Sequence, residues 1–234
     1  MNQQTEVVIA HGLWHQPAHF DQLVAELSRL GVNVHVPRLH RGSLAADTAA
    51  VQKTVDGCLR PPVVLGHSYG GSVITGLERI RHLLYVAAFV PAADESSALL
   101  GGPAALVNDA IRHNDDGSTS IQTDRAHEVL YADCSPDDSS WATSLLVPQQ
   151  PGHGRGVPSH IAWKTTESTY IHCEQDRALS PALQERMAAR CTKVFSLNSS
   201  HSPFISQPGR LTRLIMEIRA SLPKPGGVGL NTDR

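Results

Sequence analysis

A serine held between two glycines at the junction of a strand and a helix constrains this chain more than any other feature. The segment Gly66-His67-Ser68-Tyr69-Gly70 follows the apolar run Pro62-Val63-Val64-Leu65 and precedes Gly71-Ser72-Val73-Ile74, which can open a helix. A strand that turns this sharply into a helix strains the serine backbone and leaves its hydroxyl exposed. Side chains at the flanking positions would collide in so tight a turn, so glycine is needed at Gly66 and Gly70. The pattern is that of a nucleophile elbow, and such an elbow presupposes an α/β sheet to carry it.

The surrounding chain supplies that sheet. Glu6-Val7-Val8-Ile9-Ala10 reads as a buried strand, and Phe20, Leu23, Val24, Leu27 and Leu30 recur at helical spacing up to Gly31. Residues 32–37 form a second expected strand. Leu44, Thr48, Val51, Val55 and Cys58 mark another helix face, and the strand leading to Ser68 comes next. Residues 80–90 return as strand, closed by Pro91. This β-α-β-α succession implies a mostly parallel sheet with helices on both faces.

Between residues 91 and 167 the rhythm breaks. Asp, Ser, Gly and Pro are frequent there, with helical fragments near 104–111 and 126–131 and no strand of comparable quality. The alternation then resumes with a strand at 168–173, a helix opened by Ser180-Pro181, a strand at 193–197 and an amphipathic helix over 208–222. The expected organisation is a core of residues 1–90 and 168–222, a mainly helical cap inserted at 91–167, and a disordered tail at 223–234. Such a cap lies over the C-terminal strand ends, where ligands bind in sheets of this kind.

Composition removes several functions. With 234 residues, 41% hydrophobic and 18% charged, the chain reads as one globular domain, and a net charge of −2 gives no reason to expect a nucleic acid or an anionic membrane as partner. The apolar stretch at residues 7–10 is too short for a signal peptide or a membrane span, which makes a cytoplasmic location the expectation. The cap carries 11 acidic residues against 4 basic ones, favouring a neutral or weakly charged small molecule. Cys58, Cys134, Cys173 and Cys191 are widely spaced, as expected of buried thiols. His11, His15 and His19 are regularly spaced, but no carboxylate motif accompanies them, so no metal is expected. The elbow lacks the Lys-Ser/Thr pair of a phosphate loop.

A serine hydroxyl needs a base to take its proton, and that base needs a third group to orient it. In this architecture the partners follow in the order Ser, Asp or Glu, His. Asp176 lies just past the strand at 168–173, and His201 just past the strand at 193–197. Glu174 competes with Asp176, because residues two apart share a strand face; Asp176 lies further beyond the strand end and is preferred. Two backbone N–H groups are required for an oxyanion. Tyr69, after the serine, offers one at a helix N-terminus, and Leu13 in the loop His11-Gly12-Leu13-Trp14 offers the other, with Gly12 allowing close approach.

With these residues identified, the chain resembles the branch of the α/β-hydrolase superfamily that contains plant methylesterases, hydroxynitrile lyases and small bacterial esterases. The likeness runs over residues 7–222 and is densest at Ala10-His11-Gly12-Leu13-Trp14-His15, at Gly66 to Gly71, at 170–181 with Glu174-Gln175-Asp176, and at Ser200-His201-Ser202-Pro203-Phe204. It implies a Ser68-His201-Asp176 triad and a small helical lid; the mechanism such a triad supports takes an ester small molecule of unspecified size as substrate and requires no metal or organic cofactor. The resembled cyanogenic lyases carry a Lys after the triad His and, in some, a Cys after the nucleophile. Here those positions are Ser202 and Tyr69, which favours hydrolysis through an acyl-enzyme. Perhydrolase or C–C bond chemistry on the same triad, a ligand-binding protein on a hydrolase fold, and a homodimer remain open.

Overall fold

The computed structural model describes residues 6–39, 42–102, 105–150 and 152–223. Strand β1 (Glu6–Ala10) leads through a short 3₁₀ turn to helix α1 (Asp21–Arg29), and β2 (Asn33–His35) to α2 (Leu44–Gly57). The elbow joins β3 (Val63–His67) to α3 (Gly70–Thr75), and β4 (His82–Val86) follows. Helix α4 (Ser97–Gly101), the hairpin β5 (Ile111–His113) and β6 (Thr119–Ile121), and helices α5 (Thr123–Leu130) and α6 (Pro136–Ser144) come next. The chain closes with β7 (Ser168–Cys173), α7 (Pro181–Ala188), β8 (Lys193–Leu197), α8 (Pro203–Ser206) and α9 (Pro208–Ser221).

Six strands form one sheet in the order β2-β1-β3-β4-β7-β8, and every pairing is parallel. All residues of β3 and β4 are buried on both sides of the pleat. Helices must therefore cover both faces: α1 packs with α9, while α2 packs with α3. In α9, Leu211, Ile215 and Ile218 recur at helical spacing and are buried. At the sheet end remote from the elbow, Glu6 accepts the Leu59 N–H at 2.8 Å and contacts His35 at 3.2 Å, tying β1 and β2 to the end of α2.

Three details differ from the sequence reading. The strand expected over 80–90 stops at Val86, because Ala87 takes a φ of +43° and turns the backbone out of the ladder. The strand expected over 32–37 shrinks to Asn33–His35. The segment 91–167 holds the antiparallel hairpin β5–β6 as well as its helices. Its strands are three residues each, too short for alternation to register, and its turn is fixed by Gly117 at φ +80° and by Asp116, which accepts the Ser118 N–H at 2.9 Å. Of the expected tail, residues 224–234 lie outside the described residues. The four cysteines are free: Cys58, Cys134 and Cys173 are buried and Cys191 is partly buried. Burial pushes the Cys58 thiol up to about 11 and those of Cys134 and Cys191 up to about 12.

Candidate active site

The parallel register collects the candidate residues at one end of the sheet. Ala10 stands opposite Gly66, so the loop after β1 lies beside the elbow after β3. Cys173 stands opposite Leu197, so the loops carrying Asp176 and His201 emerge side by side. They are also laced together, with Glu174 N–H donating to Leu197 O at 2.9 Å and Gln175 N–H to Ser199 O at 3.0 Å.

Ser68 is in the left-handed region at φ +54° and half-buried, lining a cavity of about 510 Å³ together with Leu13 and His201. The glycines make this conformation possible. A Cβ on Gly66 would come within 2.6 Å of Gly70 O, and one on Gly70 within 2.0 Å of Ala10 O. Gly71 is equally confined, since a Cβ there would lie 2.1 Å from Phe89 O. The Ser68 carbonyl accepts N–H bonds from Gly71 and Phe89 at 3.0 and 3.1 Å, which anchors the strained residue from behind.

His201 Nδ1–H donates to Asp176 Oδ2 at 2.8 Å, and both side chains are buried. Asp176 is held on every side: Ala178 and Leu179 N–H groups donate to Oδ1 at 2.7 and 3.0 Å, and Gln184 Nε2 donates to Oδ2 at 3.0 Å. Glu174 is exposed instead. Strand alternation ends at Cys173, and the Asp176 N–H closes a turn onto Cys173 O at 3.2 Å, so the two carboxylates no longer share a face. Gln184 was not anticipated from sequence. Its sole signal was a polar residue beside Leu183 and Met187 in a short helix.

The oxyanion candidates sit where the loops meet. Among the described residues, neither the Leu13 nor the Tyr69 N–H is taken up by a backbone carbonyl. Gly12 lies against the elbow, since a Cβ there would fall 3.0 Å from both His67 Nδ1 and Ser68 Cβ. His11 holds this loop: its Nδ1–H donates to Gly12 O at 3.0 Å, while its Nε2 accepts the Leu39 N–H at 3.2 Å. Ser202 is buried, and its hydroxyl has no partner among the described residues.

Histidines crowd behind the site. His67 Nε2–H donates to the His201 carbonyl at 3.0 Å, bracing the loop that carries it. His15 donates to Leu13 O at 3.0 Å and accepts from the Tyr131 hydroxyl at 3.2 Å. Burial, reinforced by neighbouring histidines, drives His15 and His67 well below the usual imidazole value, and burial also lowers His19. These rings are therefore neutral near pH 7, and each makes at least one hydrogen bond within the fold. Among the described residues, potential metal-ligand atoms cluster at Glu6, His35 and Cys58, far from this site, and not at His11, His15 and His19. The rest of the cavity wall is mixed: Trp14, Phe89, Val107, Ile111 and Leu130 line it together with Asn108, His113, Thr119, Gln149 and Arg155.

A parallel six-stranded sheet with a serine on a strained turn between its third strand and the following helix defines an α/β-hydrolase architecture. The chain belongs to the alpha/beta hydrolase family, whose model matches residues 7–214. It is 30% identical to the alpha/beta hydrolase nvfD of Aspergillus novofumigatus, over 89% of this chain and 94% of that protein. It is 26% identical to a pyrethroid hydrolase of Sphingobium wenxiniae, over 91% and 87% respectively. Among solved structures it is similar to the methylesterase MES16 from Arabidopsis, with a TM-score of 0.79 and 16% identity, over 93% of this chain and all of that one. Among the described residues, no helix is long and apolar enough to cross a membrane.

Proposed function

We propose that the protein is a serine esterase that hydrolyses a bulky, largely apolar carboxylic ester through an acyl-enzyme. The hydrogen bond from His201 to the buried Asp176, on the cavity that Ser68 also lines, carries this reading. With Nδ1–H committed to Asp176, the other imidazole nitrogen is the basic one. It takes the Ser68 proton as Oγ attacks the ester carbonyl, and it gives that proton to the departing alcohol. The same imidazole then deprotonates the water that releases the acid. The Leu13 and Tyr69 N–H groups hold the oxyanion at both tetrahedral stages. Removing one such donor costs about 10²–10³ in rate. None of these steps needs a metal or an organic cofactor.

The size and lining of the cavity support the substrate class. About 510 Å³ accommodates a drug-sized molecule, and the apolar part of its wall gives an ester's hydrocarbon groups a surface to pack on. The pyrethroid hydrolase relative, named for a substrate class of its own, agrees with an ester-cleaving role. The segment 91–167 acts as the cap: Val107, Ile111 and Leu130 come from it.

Replacement Ser68→Ala tests the reading. The variant should keep its circular dichroism spectrum and lose at least about 10⁴-fold in kcat on a p-nitrophenyl ester. A fluorophosphonate should label the wild type and leave the variant unlabelled. Retained turnover in Ser68→Ala would refute the assignment.

A further inference from the structure

One layer behind the elbow lies a carboxylate with no access to solvent. Asp47 stands in the first turn of α2, and both its side chain and that of His153 are 0% exposed. Burying an ionised carboxylate costs several kcal/mol unless partners hold it, so its partners mark what it is for. The Tyr69 hydroxyl donates to Asp47 Oδ2 at 3.0 Å, and His153 Nε2 lies 3.3 Å from the same oxygen. Tyr69 is the residue after the nucleophile, and its backbone N–H is one of the two proposed oxyanion donors. His153 belongs to the segment 91–167 and lines the cavity. One carboxylate oxygen thus joins the cap to the oxyanion hole.

The surrounding geometry makes this joint stiff. His153 is held from both sides, with Nδ1 2.8 Å from Gln150 O and the Gly42 N–H 3.2 Å from Nε2. The imidazole meets the Tyr69 ring edge-on with centroids 5.9 Å apart. The turn at 152–156 presses onto the start of α2, where a Cβ on Gly156 would fall 2.5 Å from Leu44 Cβ. On the other side, Tyr69 is the N-cap of α3 with φ −53° and ψ −33°. Fixing its hydroxyl limits rotation of the residue as a whole, and with it the aim of its N–H. An oxyanion donor works only when it is held at its target before the charge develops, so such a tether acts on the transition state.

We infer that Asp47 is a positioning residue that couples seating of the 152–156 turn to the alignment of the Tyr69 oxyanion donor. This rests on the esterase reading above. A seated turn places His153 against Asp47 and completes the tether on Tyr69. A lifted turn withdraws His153, admits water to the carboxylate and loosens that donor. Full activity then requires the cap to be down, and a substrate that packs under the turn promotes its own hydrolysis.

Kinetics on a short acetyl ester, too small to reach the turn, and on a bulky ester test this. Tyr69→Phe keeps the backbone N–H and should lower kcat about tenfold on both esters with KM little changed. His153→Ala should lower kcat on the short ester as well, which removal of a mere lining contact would not do. His153→Gln, whose amide keeps a polar group able to donate to Asp47, should recover most of that loss. Because both side chains act through Asp47, Tyr69→Phe with His153→Ala should be no slower than the slower single variant. Multiplicative losses in the double variant, or a His153→Ala effect confined to KM for the bulky ester, would overturn the coupling. So would an unchanged kcat in Tyr69→Phe. Fluorophosphonate labelling separates the two levels. A wild type that resists labelling refutes the esterase reading, whereas a labelled wild type with equally fast variants refutes only the coupling.

Discussion

A φ of +54° at Ser68 costs on the order of 1–3 kcal/mol for a residue with a Cβ, and it persists because the neighbouring backbone leaves no alternative. Gly70 is the tightest of those neighbours. Gly70→Ala would drive a methyl to 2.0 Å from Ala10 O, against backbone that cannot yield without separating α3 from β1. Its expected outcome is a loss of more than about 3 kcal/mol, seen as a large drop in Tm or as insoluble protein. Gly209→Ala is the contrasting case. It lies in the first turn of α9 with nothing within 4 Å of the added methyl, and should raise stability by up to about 1 kcal/mol. Thermal melts of the two variants in parallel check both signs. At this scale the elbow was legible because steric necessity leaves a mark in the residue types themselves. The choice between Glu174 and Asp176 was less so, because it depends on where strand alternation stops.

Helix α7 carries a burden that its sequence hardly advertises. Gln184 Oε1 accepts the Cys173 N–H at 3.0 Å, while Nε2 donates to Cys173 O at 3.1 Å and to Asp176 Oδ2 at 3.0 Å. One side chain therefore caps the end of β7 and orients the carboxylate beside His201. Gln184→Leu keeps the volume but strands these buried groups. It should cost about 2–4 kcal/mol in urea unfolding and lower kcat at least tenfold, with the kcat loss persisting well below the melting point. An element-level reading of sequence finds helices and long buried strands because their periods repeat several times. It misses hairpins such as β5–β6, and it misses contacts like that between Asp47 and His153, where nothing at one position specifies the other.

Across the whole molecule, the buried histidines set the response to acid. His15 and His67 stay well below the imidazole value of 6.5 in the fold, His19 is lowered too, and burial takes His82 to about 4. In the unfolded chain each titrates near 6.5. Below that pH the unfolded state binds more protons than the native state, so stability falls as pH falls. Each such group contributes up to about 1.4 kcal/mol per pH unit until its folded pKa is reached. Tm should be nearly flat from about pH 8 to 7 and decline steeply below about 6.5, with proton uptake on unfolding measurable by calorimetry in buffers of different ionisation enthalpy. A Tm that holds constant down to pH 5 would contradict this account. The parallel sheet that concentrates these rings was legible in the alternation of strands and helices. The neutrality of the rings was not, since it follows from burial that only the assembled fold defines.

The free thiols have a practical consequence. Cys134 lies in the segment 91–167, proposed above as the cap, whereas Cys173 ends an inner strand of the sheet, and burial raises both thiols far above neutral pH. In the closed native state both should be almost inert to a thiolate-specific reagent. Their modification rates then act as two clocks built into the chain, one started by opening of the segment around Cys134 and the other by unfolding of the sheet. If the segment 91–167 breathes independently, Cys134 reacts first, and a bound inhibitor slows that clock without changing the order.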